Sequence, residues 1–260
     1  MEKKPIVEVR DLVAGYGDTL VLDRVSLDVY EGEIIVVIGG SGCGKSTLLK
    51  NMVGLLRPVS GAIRYWGKEI TFMDEDELAR LLQQLGIAFQ SGALFNSMTV
   101  AENIALPMEE YGHMDPELRD ILVGIKLDLV GLSGTGPLMP DELSGGMKKR
   151  VGFARAIAMD PRIVFFDEPS TSLDPIIAAG LDKLILEMRH LLGITVFVVT
   201  HDLGSIRMIA DRIVMLDRGR VIFTGTIADV EKTDVPRVRQ FFGREPDKTI
   251  EARGVETAPG

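Results

Sequence analysis

The chain has 260 residues, 46% apolar and 26% charged, which leaves enough apolar surface for a sizeable core and excludes global disorder. Acidic residues number 38 against 29 Lys plus Arg, a net charge of −9. That balance argues against a dedicated nucleic-acid binder, which needs a basic surface, but not against a polyanion held in a local pocket. A single cysteine precludes an intrachain disulfide and suits a reducing compartment. No apolar stretch follows Met1–Pro5, and the longest aliphatic run, Ile34–Ile38, is far shorter than the roughly 20 residues that span a bilayer. The expectation is a chain soluble by itself, with any membrane span supplied by a partner.

Residues 6–38 read as β structure. Val25, Leu27 and Val29 alternate with polar neighbours, the mark of a half-buried strand, and Ile34–Ile38 suits a strand buried on both faces. Pro58, Gly61 and Gly67 bracket a hairpin-like stretch, Ala62–Trp66, so an antiparallel portion is expected beside a parallel core. Behind the acidic run Asp74–Glu77, Leu78, Leu81, Leu82 and Leu85 have helical spacing. The run itself fits a helix N-terminus better than a metal site, because consecutive carboxylates on a helix do not face one point. Leu118, Ile121, Leu122 and Ile125 repeat the helical pattern after Pro116. From Ile163 strands and helices alternate: strand Ile163–Phe166, helix Pro175–Leu192, strand Thr195–Val199, helix Leu203–Ala210, strand Ile213–Leu216. Such alternation predicts a parallel sheet covered by helices. After Gly243 no hydrophobic period remains, and a mobile tail over 244–260 is expected.

Gly39-Gly40-Ser41-Gly42-Cys43-Gly44-Lys45-Ser46-Thr47 fits the phosphate-loop pattern, with a buried strand before it and a helical pattern, Thr47–Leu56, after it. Glycines let backbone N–H groups converge on phosphate oxygens, and the helix N-terminus adds partial positive charge. Lys45 is placed to reach the β- and γ-phosphates, and Ser46 to offer its hydroxyl to Mg²⁺. Cys43 reads either as a thiol acidified by Lys45 and the helix end or as a small residue at a permissive position.

Ile163–Phe166 ends in Asp167-Glu168, which a buried strand would deliver to the ligand crevice of an open α/β sheet. Asp167 can hold Mg²⁺ through water, and Glu168 can polarise an attacking water. Leu143-Ser144-Gly145-Gly146-Met147 adds a second anion site, with Ser144 as N-cap of a helix expected from near Lys148 to Ala158. Two such loops in one subunit are most simply used by a two-fold dimer in which each second site closes the partner's nucleotide. Lys148-Lys149-Arg150 reads either as added field for the nucleotide or as a solvated helix face.

Together these ordered motifs resemble the ATP-binding subunit of ABC transporters from about Ile6 to Gly243. Gly39–Thr47 resembles the Walker A loop, Ile163–Glu168 the Walker B strand and Leu143–Met147 the signature motif. Ser172-Leu173-Asp174 resembles the D-loop and His201 the switch histidine. Gln90, after Gly86–Phe89, resembles the Q-loop glutamine, and Tyr16 the aromatic that stacks on adenine. The resemblance implies a P-loop NTPase (RecA-like) α/β parallel core with an antiparallel β subdomain and an inserted helical subdomain. The ATPase domain would cover 1–243 and the helical subdomain about 91–160. ATP and Mg²⁺ are the implied cofactors. Glu168, His201 and Gln90 take the catalytic roles; Ser46, Gln90 and Asp167 serve the metal. The nucleotide falls to Tyr16, Gly39, Gly40, Ser41, Gly42, Cys43, Gly44, Lys45, Ser46, Thr47, Ser144, Gly145, Gly146 and Asp174. Met147 departs from the glutamine that usually ends the signature and cannot make its polar contacts.

Within that family, Leu138–Met147, Gln90–Val100 and Val238–Gly243 are similar to the ATPase of Mla/Mce-type lipid transporters. This resemblance implies a homodimer on the cytoplasmic side of the inner membrane, powering phospholipid movement between inner and outer membranes. Its partners would be an integral-membrane permease, an MCE-domain lipid-binding protein and a small STAS-domain protein, with no nucleic acid. A polar-solute importer, or a soluble ABC protein without a permease, are the alternatives. Leu94, Phe95 and Met98 suit either a permease-docking patch or the join between the sheet and helical parts.

Overall fold

The alternation at residues 25–30 belongs to β2 (Thr19–Tyr30), which pairs antiparallel with β1 (Pro5–Tyr16); Val25, Leu27 and Val29 are buried while Ser26 faces solvent. The computed structural model describes residues 4–112 and 114–246. All five residues of β3 (Ile34–Ile38) are fully buried. β4 (Ser60–Tyr65) lies on the other side of β1 and turns through Trp66-Gly67 into β5 (Lys68–Glu69), giving a four-stranded antiparallel sheet in the order β2-β1-β4-β5.

The second sheet has six strands. β3 sits inside it between β8 (Thr195–Val199) and β9 (Arg212–Asp217); β7 (Ile163–Asp167) and β6 (Leu85–Ala88) continue one way, β10 (Arg220–Gly225) the other. Only the β9–β10 pair is antiparallel. β3 shows why its run is unbroken rather than alternating. Ile35 and Val37 pack with the antiparallel sheet and with Leu48, Leu49 and Met52 of α1 (Lys45–Met52). Ile34, Val36 and Ile38 face the opposite core, shared with the later helices. Two-sided burial makes every position apolar, at roughly 1.5–3 kcal/mol per large side chain.

The remaining helices are α2 (Glu75–Leu82), α3 (Val100–Gly112), α4 (Pro116–Leu129), α5 (Gly145–Ala156), α6 (Pro175–Leu192), α7 (Leu203–Ile209), α8 (Ile227–Lys232) and α9 (Pro236–Gly243), with a 3-10 turn at Pro140–Glu142. Helix α6 and strand β8 have the predicted bounds, and α7 and β9 agree within a residue. Asp74 caps α2 by accepting from the Glu77 amide, so the acidic run does start a helix.

Several expectations are corrected. Leu85 does not extend α2, which ends at Leu82; it opens β6 and pairs with Ile163. Helix α1 stops at Met52 rather than Leu56, where the Tyr65 hydroxyl donates to the Met52 carbonyl and Gly54 turns with positive φ. Helix α5 spans Gly145–Ala156, not 148–158, because the Ser144 side chain accepts from the Met147 amide and so sets the first turn. The stripe after Pro116 is helical as read, in α4; there Leu118, Ile121 and Ile125 are exposed, Leu122 packs on the core, and Val123, Lys126 and Leu127 are buried. Lys126 sinks its aliphatic stem and pairs its ammonium with Asp160. Strand β10 and helices α8 and α9 were not foreseen. The tail expected to be mobile falls mostly on 247–260, outside the described residues. Among the described residues no helix is long and apolar enough to cross a membrane.

Candidate nucleotide site

Strand β3 ends at Ile38 and the chain turns at once through the glycine-rich loop into α1. Two glycines there are dictated by space. Gly39 has φ +151, and a Cβ would lie 2.3 Å from the Leu216 carbonyl oxygen. Gly44 has φ +110, and a Cβ would lie 2.5 Å from Cδ2 of Leu22. Lys45, the first helical residue, folds its ammonium back onto the carbonyls of Gly39 (2.9 Å) and Gly40 (3.1 Å). An ammonium has three N–H donors, so one remains for an anion. Ser41, Gly42 and Ser46 are exposed along the loop, and Thr47 is buried beneath it.

Cys43 resolves to the second of its two readings. It is buried, and burial pushes its thiol up despite the opposing field of Lys45. A thiol reagent should therefore react slowly at neutral pH and faster only as pH climbs past the ordinary thiol range. Mass-spectrometric alkylation rates against pH would check this; fast labelling at pH 7 would contradict it.

The carboxylates arrive as expected at the C-terminal end of β7. Asp167 is half-buried, and its Oδ1 has no hydrogen-bond partner among the described residues. Burial raises its pKa, the Glu168 charge raises it further, and Lys50, Lys45 and a hydrogen bond from the Ser46 side chain oppose the shift. An orphaned buried carboxylate oxygen next to the Ser46 hydroxyl is a hard oxygen donor set, which fits a small divalent cation bridging to phosphates.

Glu168 adopts φ +50, a left-handed conformation that costs a glutamate about 1–3 kcal/mol, while its amide still donates to the Val199 carbonyl. Its Oε1 lies 2.9 Å from His201 Nδ1, and its Oε2 accepts from the Thr171 hydroxyl at 3.1 Å. An ionised carboxylate only accepts, so Nδ1 carries the proton in this contact. Each oxygen keeps a second lone pair for another donor. His201 is 61% exposed against 13% for Glu168, so the imidazole closes the outer side of the carboxylate.

Tyr16 is exposed at the end of β1, and the Lys50 ammonium stands 5.6 Å from its ring centre. Ser144 caps α5 as predicted. A Cβ at Gly146 would lie 2.7 Å from Cγ2 of Ile177, and one at Gly145 would lie 3.9 Å from Leu173. The signature glycines thus pack beside the segment after Glu168 rather than on the phosphate loop. Asp174 caps α6 by accepting from the amides of Ile176 and Ile177. Met147 is half-buried against the helical core, so an apolar residue suits its place.

Lys149, which sequence reasoning left open, is tied to the loop after Glu168: its ammonium donates to the carbonyls of Pro169 (2.6 Å) and Thr171 (2.5 Å). Arg150 donates to the Val130 carbonyl. Neither is a freely solvated charge. Gln90 is exposed in the loop after β6. That loop is locked to α5, since Arg155 donates to the Gly92 carbonyl and a Cβ at Gly152 would lie 3.0 Å from Gly92 Cα. Leu94 packs into the core. Phe95 is half exposed and lines a groove of about 530 Å³ with Phe89, Leu106, Tyr111 and Arg155. Leu94 thus takes the second reading, the join between the sheet and helical parts, and Phe95 is left exposed in the groove. The sequence also gave no sign of Arg237 on α9: its Nη2 would lie 3.5 Å from a Cβ at Gly40, and its Nε pairs with Asp217.

A glycine-rich phosphate loop and a strand-borne carboxylate pair at one rim of a parallel sheet define a P-loop nucleotide-binding protein. Residues 22–171 match the family model described as ABC transporter, and the chain belongs to that family; it is an ATP-binding, ATP-hydrolysing cassette. It is 38% identical over 248 residues to the intermembrane phospholipid transport system ATP-binding protein MlaF of Escherichia coli, covering 95% of this chain and 92% of that protein. It is 40% identical over 237 residues to the probable ribonucleotide transport ATP-binding protein mkl of Mycobacterium leprae, covering 91% and 68%. Among solved structures, the dimeric post-hydrolysis state of the ATP-binding cassette MJ0796 bound to ADP and Pi aligns with TM-score 0.78 at 30% identity, covering 85% of this chain and 98% of that one. CbiO1 of Clostridium perfringens, part of the transporter complex cbiONQ, aligns with TM-score 0.80 at 29% identity, covering 94% and 100%.

Proposed function

We propose that this chain is the ATP-hydrolysing subunit of a transporter that moves phospholipid between the inner and outer membranes of a double-membraned envelope. The observation that carries the cargo is the likeness to MlaF along 95% of the chain. Two copies meet face to face at the cytoplasmic side of the inner membrane, and each ATP lies between the phosphate loop of one and Ser144, Gly145 and Gly146 of the other. The dimeric MJ0796 cassette supports this arrangement.

Tyr16 stacks on the adenine. Residues 39–47 hold the phosphates by backbone amides, Lys45 donates to the β- and γ-oxygens, and Asp174 steadies the facing half-site. Ser46, Asp167 and Gln90 would hold Mg²⁺, which would supply charge neutralisation at the phosphates. Glu168 takes the proton of the attacking water. His201 and Thr171 hold that carboxylate in line, and His201 also faces the γ-phosphate. ATP favours the closed pair and hydrolysis releases it, a population shift that the transporter converts to motion.

Residues 1–243 form the ATPase unit, and 91–160 its helical subdomain; the groove that Phe95 lines runs between that subdomain and α2 with β6. That groove is apolar, lies next to the site, and is rigidly tied to the signature helix through Gly92, Gly152 and Arg155. It suits a cytoplasmic helix of an integral-membrane permease. An MCE-domain lipid-binding protein and a small STAS-domain protein complete the assembly.

The test is to purify a tagged Glu168→Gln chain from gently solubilised membranes and analyse protein and lipid by mass spectrometry. A permease, an MCE-domain protein and enriched phospholipid are expected. A permease with a soluble-solute receptor and no enriched lipid would overturn the cargo, in line with the polar cargo in the name of the mkl relative.

A further inference from the structure

Three elements of the catalytic rim converge on one buried carboxylate. Asp182, on α6, is 3% exposed, and its Oδ2 accepts from the Ser205 hydroxyl of α7 at 2.8 Å. The Ser205 oxygen is in turn 3.4 Å from the hydroxyl of Ser170, two residues after Glu168. Ser170 and Ser205 are both buried. Helix α6 starts at Asp174 and α7 starts just after His201, so the cluster lies between the segments that carry the catalytic pair. Asp182 Oδ1 has no partner among the described residues.

We propose that Asp182 is a positioning residue for ATP hydrolysis: its charge orients the Ser205 and Ser170 hydroxyls and so holds the Glu168 loop against the helix that follows His201. The reasoning is donor arithmetic. A hydroxyl has one proton. Facing a carboxylate, Ser205 gives that proton to Asp182, and its oxygen is left to accept from Ser170. Facing a neutral acid, Ser205 is free to accept from Asp182 and to turn its own proton on Ser170, which reverses the chain and frees the Ser170 proton to leave α7 for another acceptor. Burial pushes the Asp182 carboxyl up to about 6, the Asp202 carboxylate raises it further, and the Ser205 hydrogen bond holds it down.

The other charges around the cluster are engaged elsewhere. Lys149 of α5 is on the Pro169 and Thr171 carbonyls, Arg150 is on Val130, and Glu168 and His201 are on each other. Asp202 also caps α7 through the Ser205 amide. On α6 itself, Lys183 pairs with Glu187 at the surface.

The test is the pH dependence of kcat and KM for MgATP in the full chain, with nucleotide binding measured in parallel. A group titrating near 6 is only about one-tenth charged one pH unit lower. Wild-type kcat should therefore lose about tenfold between pH 7.5 and 5 that Asp182→Asn does not lose, with KM little changed. Ionisations of the nucleotide site are common to both proteins and cancel. Ser205→Ala removes the hydroxyl through which Asp182 acts on Ser170, so the acid loss of kcat should vanish there as it does in Asp182→Asn. Superimposable profiles for wild type and Asp182→Asn would overturn the proposal. So would an acid loss of kcat that persists in Ser205→Ala, or an effect confined to KM. Should Asp182→Asn fail to bind nucleotide, the loss of the acid inflection in Ser205→Ala decides the matter by itself.

Discussion

Glu168→Gln is expected to bind MgATP close to wild-type affinity and to hydrolyse it about 10²- to 10³-fold more slowly. The side chain keeps its length, and the backbone keeps the left-handed turn that aims it. His201 and Thr171 can both be served by an amide: the histidine by changing tautomer, the hydroxyl by rotating. What the amide lacks is basicity, so the proton of the attacking water has no acceptor in the right place. Glu168→Asp should also be slow for a different reason. Its carboxylate is basic but one methylene short, which forfeits both fixed contacts and the near-attack position. Equilibrium nucleotide binding together with phosphate release separates the two effects. Near-normal turnover in Glu168→Gln would remove this residue as the base.

Legibility of the sequence followed burial geometry. Where both faces of an element are covered, as for β3, β7 and β8, a short apolar run has one sensible reading, and those strands stand where the sequence put them. The phosphate loop was readable because its glycines answer to local sterics at Gly39 and Gly44. Failures came where a residue's environment was set from afar. Leu85 has helical spacing from Leu81, yet strand pairing with Ile163 claims it. On α4 the spacing gives the helix but not its buried face: Leu118, Ile121 and Ile125 are exposed, while Lys126 is covered along its stem and reaches Asp160 with its ammonium. Strand β10 is only half-buried along most of its length, and α8 and α9 each bury a single side chain, Val230 and Val238, too few to mark a face. At the site, each motif announced its own residues, but the ties between motifs did not. Lys149 to Pro169, Arg155 to Gly92 and Asp182 to Ser205 join positions 20 to 63 residues apart, and no local pattern encodes such contacts.

Lys45→Ala is expected to weaken MgATP binding by about 10- to 10²-fold, the consequence of losing the one charge-assisted hydrogen bond left to its ammonium, roughly 1.5–3 kcal/mol. Folding should survive. The ammonium is held by the Gly39 and Gly40 carbonyls at a partly exposed loop, where water can replace it, while the glycines and Leu48, Leu49 and Met52 still seat α1 on the sheet. Lys45→Arg is not a conservative control. A planar guanidinium must replace a compact ammonium inside a loop whose inner walls are the Gly39 and Gly40 carbonyls, so affinity should stay low. Isothermal titration with ATP, and thermal melts with and without nucleotide, distinguish lost binding from lost fold. If Lys45→Ala kept wild-type affinity, the backbone amides and helix N-terminus alone would hold the phosphates. The lysine would then act only on charge that develops during transfer, and its loss would appear in kcat, as the loss of Glu168 does.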